Sequence, residues 1–194
     1  MHVFIVFAHP SKDSFTKAAC DAFIEGLKSA GHTYEISDLY AMGFNAEMSE
    51  EEYSRESNYR TDIPVPDDVK SEQDKINRSD VIAFIYPVFW TEAPAKLVGW
   101  FDRVWTYGFA YGERTMKKLA KAIVICVTGN TKERLTEFGH IQSMEKIMLG
   151  DRIFDRAYES KMIVLDGMSK HNRKLRENNW HKHLALVYEE GKNL

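Results

Sequence analysis

Short, uninterrupted runs of apolar and β-branched residues recur along this chain, and between them the apolar positions switch to helical spacing. That alternation constrains the fold more than any other feature. His2 to Phe7, HVFIVF, shows no polar alternation, so it reads as a strand covered on both faces, as strands of a parallel sheet are. After the loop AHPSKDS, residues Phe15, Ala18, Ala19, Ala22, Phe23, Gly26, Leu27 and Ala30 recur at three- and four-residue steps. That is one face of an amphipathic helix, and Gly31 supplies its stop signal. HTYEIS reads as a second strand, Val81 to Tyr86 as a third, Ala120 to Val127 as a fourth and Met162 to Leu165 as a last one. Helices are expected over Asp68 to Arg78, Ala93 to Trp105, Ile141 to Leu149 and Arg173 to Glu190. Buried strands alternating with covering helices give an α/β doubly wound sandwich. It is a five-stranded parallel sheet of order 2-1-3-4-5 with helices on both faces. The 194 residues fit one such domain over 1–194.

Composition narrows the functional classes. The net charge of −3 gives no support for a broad basic surface that would bind nucleic acid. No apolar run reaches the ~18 residues of a membrane-spanning helix. The start, MHVFIVFAHP, lacks the basic leader and small-residue cleavage site of a signal peptide. A cytoplasmic protein without membrane insertion is therefore expected. Cys20 and Cys126 sit in no CxxC or Cys/His spacing and read as reduced core thiols. His181 and His183 are two apart and point to different sides of a helix, so no metal site is expected.

In a sheet of this order, ligands bind outside the carboxyl ends of the strands at the switch point. Three loops lie there. The first, AHPSKDSFT, lacks the GxGxxG of a standard dinucleotide site but offers Ser11, Ser14 and Thr16 at a helix start. Hydroxyls and free helix N–H groups make an anion site, and capping by Ser14 alone uses the same geometry. The second, PVFWTEAP, begins at Pro87, which cannot continue a central strand. Its backbone N–H groups are expected to face the crevice, with Phe89 and Trp90 either walling a flat heteroaromatic ligand or folding back into the core. The third is VTGN, where Gly129 allows close backbone approach, Asn130 tolerates the left-handed conformation, and a nest of N–H groups can meet negative charge. Ser49 to Asp68 is a long polar excursion, and such excursions are often functional.

Together the stretches AHPSKDSFT, SDLYAMGFNAEMS, EQDKINRSDVIAFIYPVFWTEAPAKLVGWFDRVWTYGFAYG and VTGN resemble the flavin-dependent NAD(P)H:quinone reductases, or DT-diaphorases, of flavodoxin-like fold. The pieces come in the family's order over much of residues 1 to 130, and the match weakens after Gly139. The resemblance implies that His9, Ser14, Phe15 and Thr16 hold the flavin phosphate and that Gln73 contacts the cofactor. Pro87, Val88, Phe89 and Trp90 would line the isoalloxazine. Thr128 and Gly129, with Asn130 beside them, would donate toward its N1 and O2. Tyr111 matches a substrate-pocket tyrosine, and the aromatic face of the Ala93 to Trp105 helix would lie at a two-fold homodimer seam.

The implied chemistry is two-electron, ping-pong hydride transfer from NAD(P)H through FAD or FMN to a quinone or related small acceptor. The chain also departs from the family. Asn130 replaces the second glycine of a Gly-Gly pair, Phe89 stands where a Gln is common, and Leu135 occupies the position of a proton-relay Tyr. His140 falls one residue short of the family's relay His. It is either the catalytic proton partner or an exposed histidine at a helix start. Two other readings share the fold: a flavodoxin-type electron carrier and a regulatory flavoprotein subunit.

Overall fold

The computed structural model describes residues 1–194 and contains one sheet. Its strands are β1 His2–Phe7, β2 Thr33–Asp38, β3 Val81–Pro87, β4 Leu119–Val127 and β5 Ala157–Leu165. All neighbours pair in parallel, in the order β2-β1-β3-β4-β5 expected of a doubly wound sheet. The helices are α1 Phe15–Ser29, α2 Glu50–Ser57, α3 Asp67–Arg78, α4 Ala95–Val104, α5 Lys132–Glu137, α6 His140–Ile147 and α7 Arg173–Lys192. A π-helical turn, Met148–Ile153, and a short 3-10 turn, Phe154–Arg156, follow α6.

Successive strand residues point to opposite faces. Val3, Ile5 and Phe7 of β1, with Ala83, Ile85, Ile123 and Ile125, meet α1 and α7 on one face. Phe4 and Val6, with Phe84, Tyr86 and Val124, meet α3, α4 and the π-helical turn on the other. Both faces are dry, which is why the central strands read as unbroken apolar runs. Helices α1 and α7 touch backbone to backbone. A Cβ at Gly26 would collide with the Tyr188 carbonyl oxygen, and one at Gly191 with that of Phe23.

Three stretches differ from the sequence expectation. The 49–68 excursion contains α2, started by a capping box in which Ser49 Oγ accepts the Glu52 N–H and the Glu52 carboxylate accepts the Ser49 N–H. The loop after β4 contains α5, capped by Thr131. Strand β5 begins at Ala157, five residues before Met162. Its first half is polar because it is the sheet edge, with Tyr158 exposed to solvent, so an apolar signature captures only its end.

The aromatic face of α4 is also corrected. Trp100 is fully buried and packs on Phe84 and Phe4 of the same chain, and its indole N–H donates to Glu72 at 2.9 Å. Trp105 donates to the Arg152 carbonyl at 2.6 Å. This face lies inside the subunit, packed on its own sheet. Cys20 and Cys126 are buried free thiols, and desolvation pushes each up to about 12, so both stay protonated.

Buried polar groups tie α2, α3 and α4 together. Arg103, only 4% exposed, donates to Glu52 at 2.8 Å, to Asp68 at 2.6 Å and to the Asn45 carbonyl at 2.8 Å. Its hydrogen bond holds the Asp68 carboxyl below the usual carboxylate range. The stability this contributes is present above that range and is lost as pH falls through the lowered folded value. Arg103→Met should cost about 3 kcal/mol at pH 7 in urea unfolding, because it strands the buried Glu52 carboxylate and unpairs the half-exposed Asp68. The deficit should shrink as pH is lowered through the carboxylate range.

Candidate cofactor site

The loop after β1 starts with a ladder bond, Ala8 N–H to the Ile85 carbonyl at 3.1 Å. His9 is half-buried, and desolvation holds its pKa below that of an ordinary histidine. Its Nδ1 lies 2.9 Å from both the Ser11 N–H and the Ser11 carbonyl oxygen, and its Nε2 has no partner within the chain. Ser14 caps α1, its Oγ accepting the Lys17 N–H at 3.0 Å. Capping leaves the N–H groups of Phe15 and Thr16 unpaired at the positive end of the helix, whose first turn contains no acidic residue. Capping and anion binding therefore coexist. The Phe15 ring itself is a core group, edge-on to Trp180 at 4.8 Å, so only its backbone faces the loop.

The loop after β3 is a tight hairpin. Phe89 N–H donates to the Glu92 carbonyl at 2.8 Å and Glu92 N–H to the Phe89 carbonyl at 3.0 Å. Between them Trp90 and Thr91 have φ of 53° and 66°. This is the left-handed pair that a two-residue hairpin turn requires and that Asn-Gly usually supplies. The expectation that Val88 to Trp90 all present N–H groups is corrected. Val88 N–H is the last rung to Val127, at 2.8 Å, and Phe89 N–H closes the hairpin, so the unpaired donors are Trp90 and Thr91. Pro87 is buried as the final residue of β3, and the Val88 side chain packs toward Leu135, Ile141 and Met144. Trp90 is 99% exposed and Phe89 47%, so neither ring has folded into the core.

The loop after β4 is corrected in the same way. Thr128 N–H donates to the Leu165 carbonyl at 3.0 Å, and Thr128 Oγ1 donates to the Asn130 carbonyl at 3.0 Å. Thr128 is therefore not a free donor, whereas the N–H groups of Gly129, Asn130 and Thr131 have no partner. Neither Gly129 nor Asn130 is left-handed. These residues open onto a cleft of about 590 Å³ that also holds Arg134, His171 and Arg173, and no acidic side chain lines it. Arg134 and Arg173 were missed from sequence. For Arg173 the available signal was the basic run SKHNRKLR at the head of α7, where the helix dipole favours acidic residues.

Two expected site residues lie elsewhere. Gln73 is buried, its amide nitrogen donating to the Val104 carbonyl at 3.1 Å and to Thr106 Oγ1 at 2.9 Å. It is a strut between α3 and the end of α4. Tyr111 donates its hydroxyl to Glu56 at 2.9 Å and packs edge-on against Tyr107. Burial, with help from Glu56, pushes its pKa up to about 12. Gln73 and Tyr107 border a second cleft of about 520 Å³, apart from the three loops. His140 opens α6, half-buried, its ring 5.9 Å from that of Phe138 and without a hydrogen bond. Leu135 is buried against Ile141 and Met144 beside Val88, so α5 and α6 border the Trp90 hairpin.

Comparison with known proteins agrees with this fold. The flavodoxin-like fold family matches residues 1–153. A ribosyldihydronicotinamide dehydrogenase-like protein of Penicillium crustosum is 31% identical over 174 residues, 76% of this chain and 65% of that protein. NAD(P)H dehydrogenase (quinone) 1 of Rattus norvegicus is 36% identical, matching 58% of this chain but only 46% of its own length. The chain thus spans less than two thirds of these curated relatives. An NAD(P)H:quinone oxidoreductase from Methanothermobacter marburgensis superposes with a TM-score of 0.93 at 46% identity, over 100% of this chain and 95% of that one. With its strand order and these matches, the chain belongs to the flavodoxin-like family that includes the NAD(P)H:quinone reductases.

Proposed function

We propose that the protein is a flavin-dependent NAD(P)H oxidoreductase that reduces quinones or related small acceptors by two-electron, ping-pong hydride transfer. The observation that carries this reading is the Trp90 indole, fully exposed on a left-handed turn beside loops whose N–H groups have no partner. An exposed indole of this kind suits the face of a flat heteroaromatic ring. The chain's residues fit a flavin. Phe15 and Thr16 N–H, the Ser14 cap and His9 Nε2 would bind its phosphate. Gly129 and Asn130 N–H would meet the pyrimidine edge, and Trp90 and Phe89 would wall the ring and exclude water. Arg134 and Arg173 would hold further negative charge in their cleft. The bound flavin, FAD or FMN, supplies the hydride chemistry between NAD(P)H and the acceptor. His140 is the group we assign to proton movement, since Leu135 offers no hydroxyl where the family has a tyrosine.

We further propose a homodimer with a single domain per chain. Tyr111 bonds to Glu56 and makes no hydrogen bond to the three loops of its own chain, which supports a site completed across a two-fold axis. Tyr53 and Tyr59 expose their rings and extend that surface. A cytoplasmic setting is supported by the two protonated, unpaired thiols, and no helix is long and apolar enough to cross a membrane.

The test is direct. Protein purified with its flavin should release FAD or FMN on denaturation. Anaerobic NADH or NADPH should bleach the bound flavin, and a quinone should restore its absorbance. A colourless protein that binds neither flavin would overturn the reading. Trp90→Ala should weaken flavin binding by roughly tenfold, the size of a lost aromatic stacking contact. Its unfolding free energy should change by less than ~0.5 kcal/mol, as for an exposed side chain. Global unfolding of that variant would instead assign Trp90 to the core.

A further inference from the structure

Two irregular pieces of backbone meet beneath the Trp90 hairpin. The first is the turn, where Trp90 and Thr91 adopt φ of 53° and 66° without a glycine. A bulky and a β-branched residue are both disfavoured there, and such strain persists only where the surroundings over-determine it. The second is the π-helical turn Met148–Ile153, which runs into Phe154 at φ 32°. Turns of this kind are rare and concentrate at functional sites.

One ion pair joins the two. Arg152 Nη1 lies 3.0 Å from Glu92 Oε1, with the Arg152 side chain 13% exposed and that of Glu92 37%. The same Glu92 oxygen accepts the Ala93 N–H at 2.7 Å, while the Glu92 backbone closes the hairpin onto Phe89. Glu92 is therefore held on three sides. Arg152 is equally fixed. Its guanidinium lies 4.9 Å over the Phe101 ring, its Nη1 is 3.4 Å from Met148 Sδ, and its carbonyl accepts the Trp105 indole N–H. A rigid cation on the core side thus grips the residue that closes the strained turn. If that grip were released, Trp90 could relax to negative φ. The two Phe89–Glu92 hydrogen bonds would break and the indole would swing from the crevice.

We propose that Glu92 and Arg152 are positioning residues whose ion pair holds the Trp90–Thr91 turn in its left-handed form. The indole and the two unpaired N–H groups then stand ready before any ligand arrives. The consequence for cofactor binding rests on the flavin reading, but the inference about the turn does not.

Two measurements on Glu92→Gln separate these. This variant keeps an acceptor for Ala93 and removes the charge. In the ligand-free protein, amide exchange at positions 89 and 92 should quicken by about tenfold, because a strained turn released from its anchor opens more often. FMN and FAD, titrated separately, should bind about tenfold more weakly to it. Arg152→Met should behave alike. Adding Thr91→Gly, which makes the left-handed backbone easy at φ 66°, should restore both protection and affinity although the pair is still missing. Unchanged exchange in Glu92→Gln would overturn the proposal. Failure of Thr91→Gly to rescue would also overturn it, since the pair would then act only as general packing. Should the unmodified protein bind neither flavin, the cofactor reading falls and the exchange measurement still decides the turn.

Discussion

Hydrogen bonds of the sheet continue one residue beyond the strand ends. Leu39 donates to the Phe7 carbonyl, Ala8 to Ile85, Val88 to Val127 and Thr128 to Leu165. These four rungs hold the starts of the connecting loops at one level along the carboxyl edge. They also divide the donors of those loops into two classes. The first N–H of each loop belongs to the sheet, and those a few residues on, at Phe15 and Thr16, at Trp90 and Thr91, and at Gly129 to Thr131, belong to whatever occupies the crevice. A common edge carrying all of these loops follows from the parallel ladder itself, because adjacent parallel strands all end on the same side.

The ladder is held straight by packing on both faces. Burial of Phe4, Phe84 and Trp100 on one side and of Val3, Ile85 and Phe23 on the other removes the sheet from water, so that its backbone pairs only with itself. The deeply buried charged groups Glu72 and Arg103 are paired. Glu72, fully buried, accepts from Ser37, Lys75 and the Trp100 indole, and Arg103 clamps α2 and α3 to α4. The rigidity so obtained lets one exposed hairpin keep a costly conformation at the edge.

Much of this was legible in the chain. The buried central strands follow from apolar periodicity, since the free energy of burial acts on every residue of a doubly covered strand, and the strand order follows from the rule for doubly wound sheets. The Ser14 cap was found from a local signal. The misses have physical causes. Helices α2 and α5 are eight and six residues long, too short for a helical period to stand out. The start of β5 is polar because it is an edge. The aromatic face of α4 has the composition of an interface and of a core alike, and only its position over Phe84 assigns it to the core. Gln73 sits in a stretch that matches the family, yet its amide is engaged by Val104 and Thr106, residues brought to it only by the fold.

By itself, the sequence determined which segments must be buried, with what period, and therefore that a parallel sheet would open its carboxyl edge to a ligand. Those are local properties, since each residue's hydrophobicity and its neighbours at fixed spacing are enough to specify them. Only the tertiary structure decided which N–H groups remain free, because a rung such as Val88 to Val127 depends on a strand that returns 39 residues later. It alone decided how Trp90 is presented, because Arg152, which reaches Glu92 from 60 residues away, has no local relation to the turn. Strain at one loop can be sustained only by contacts distant in sequence, and no local pattern records them.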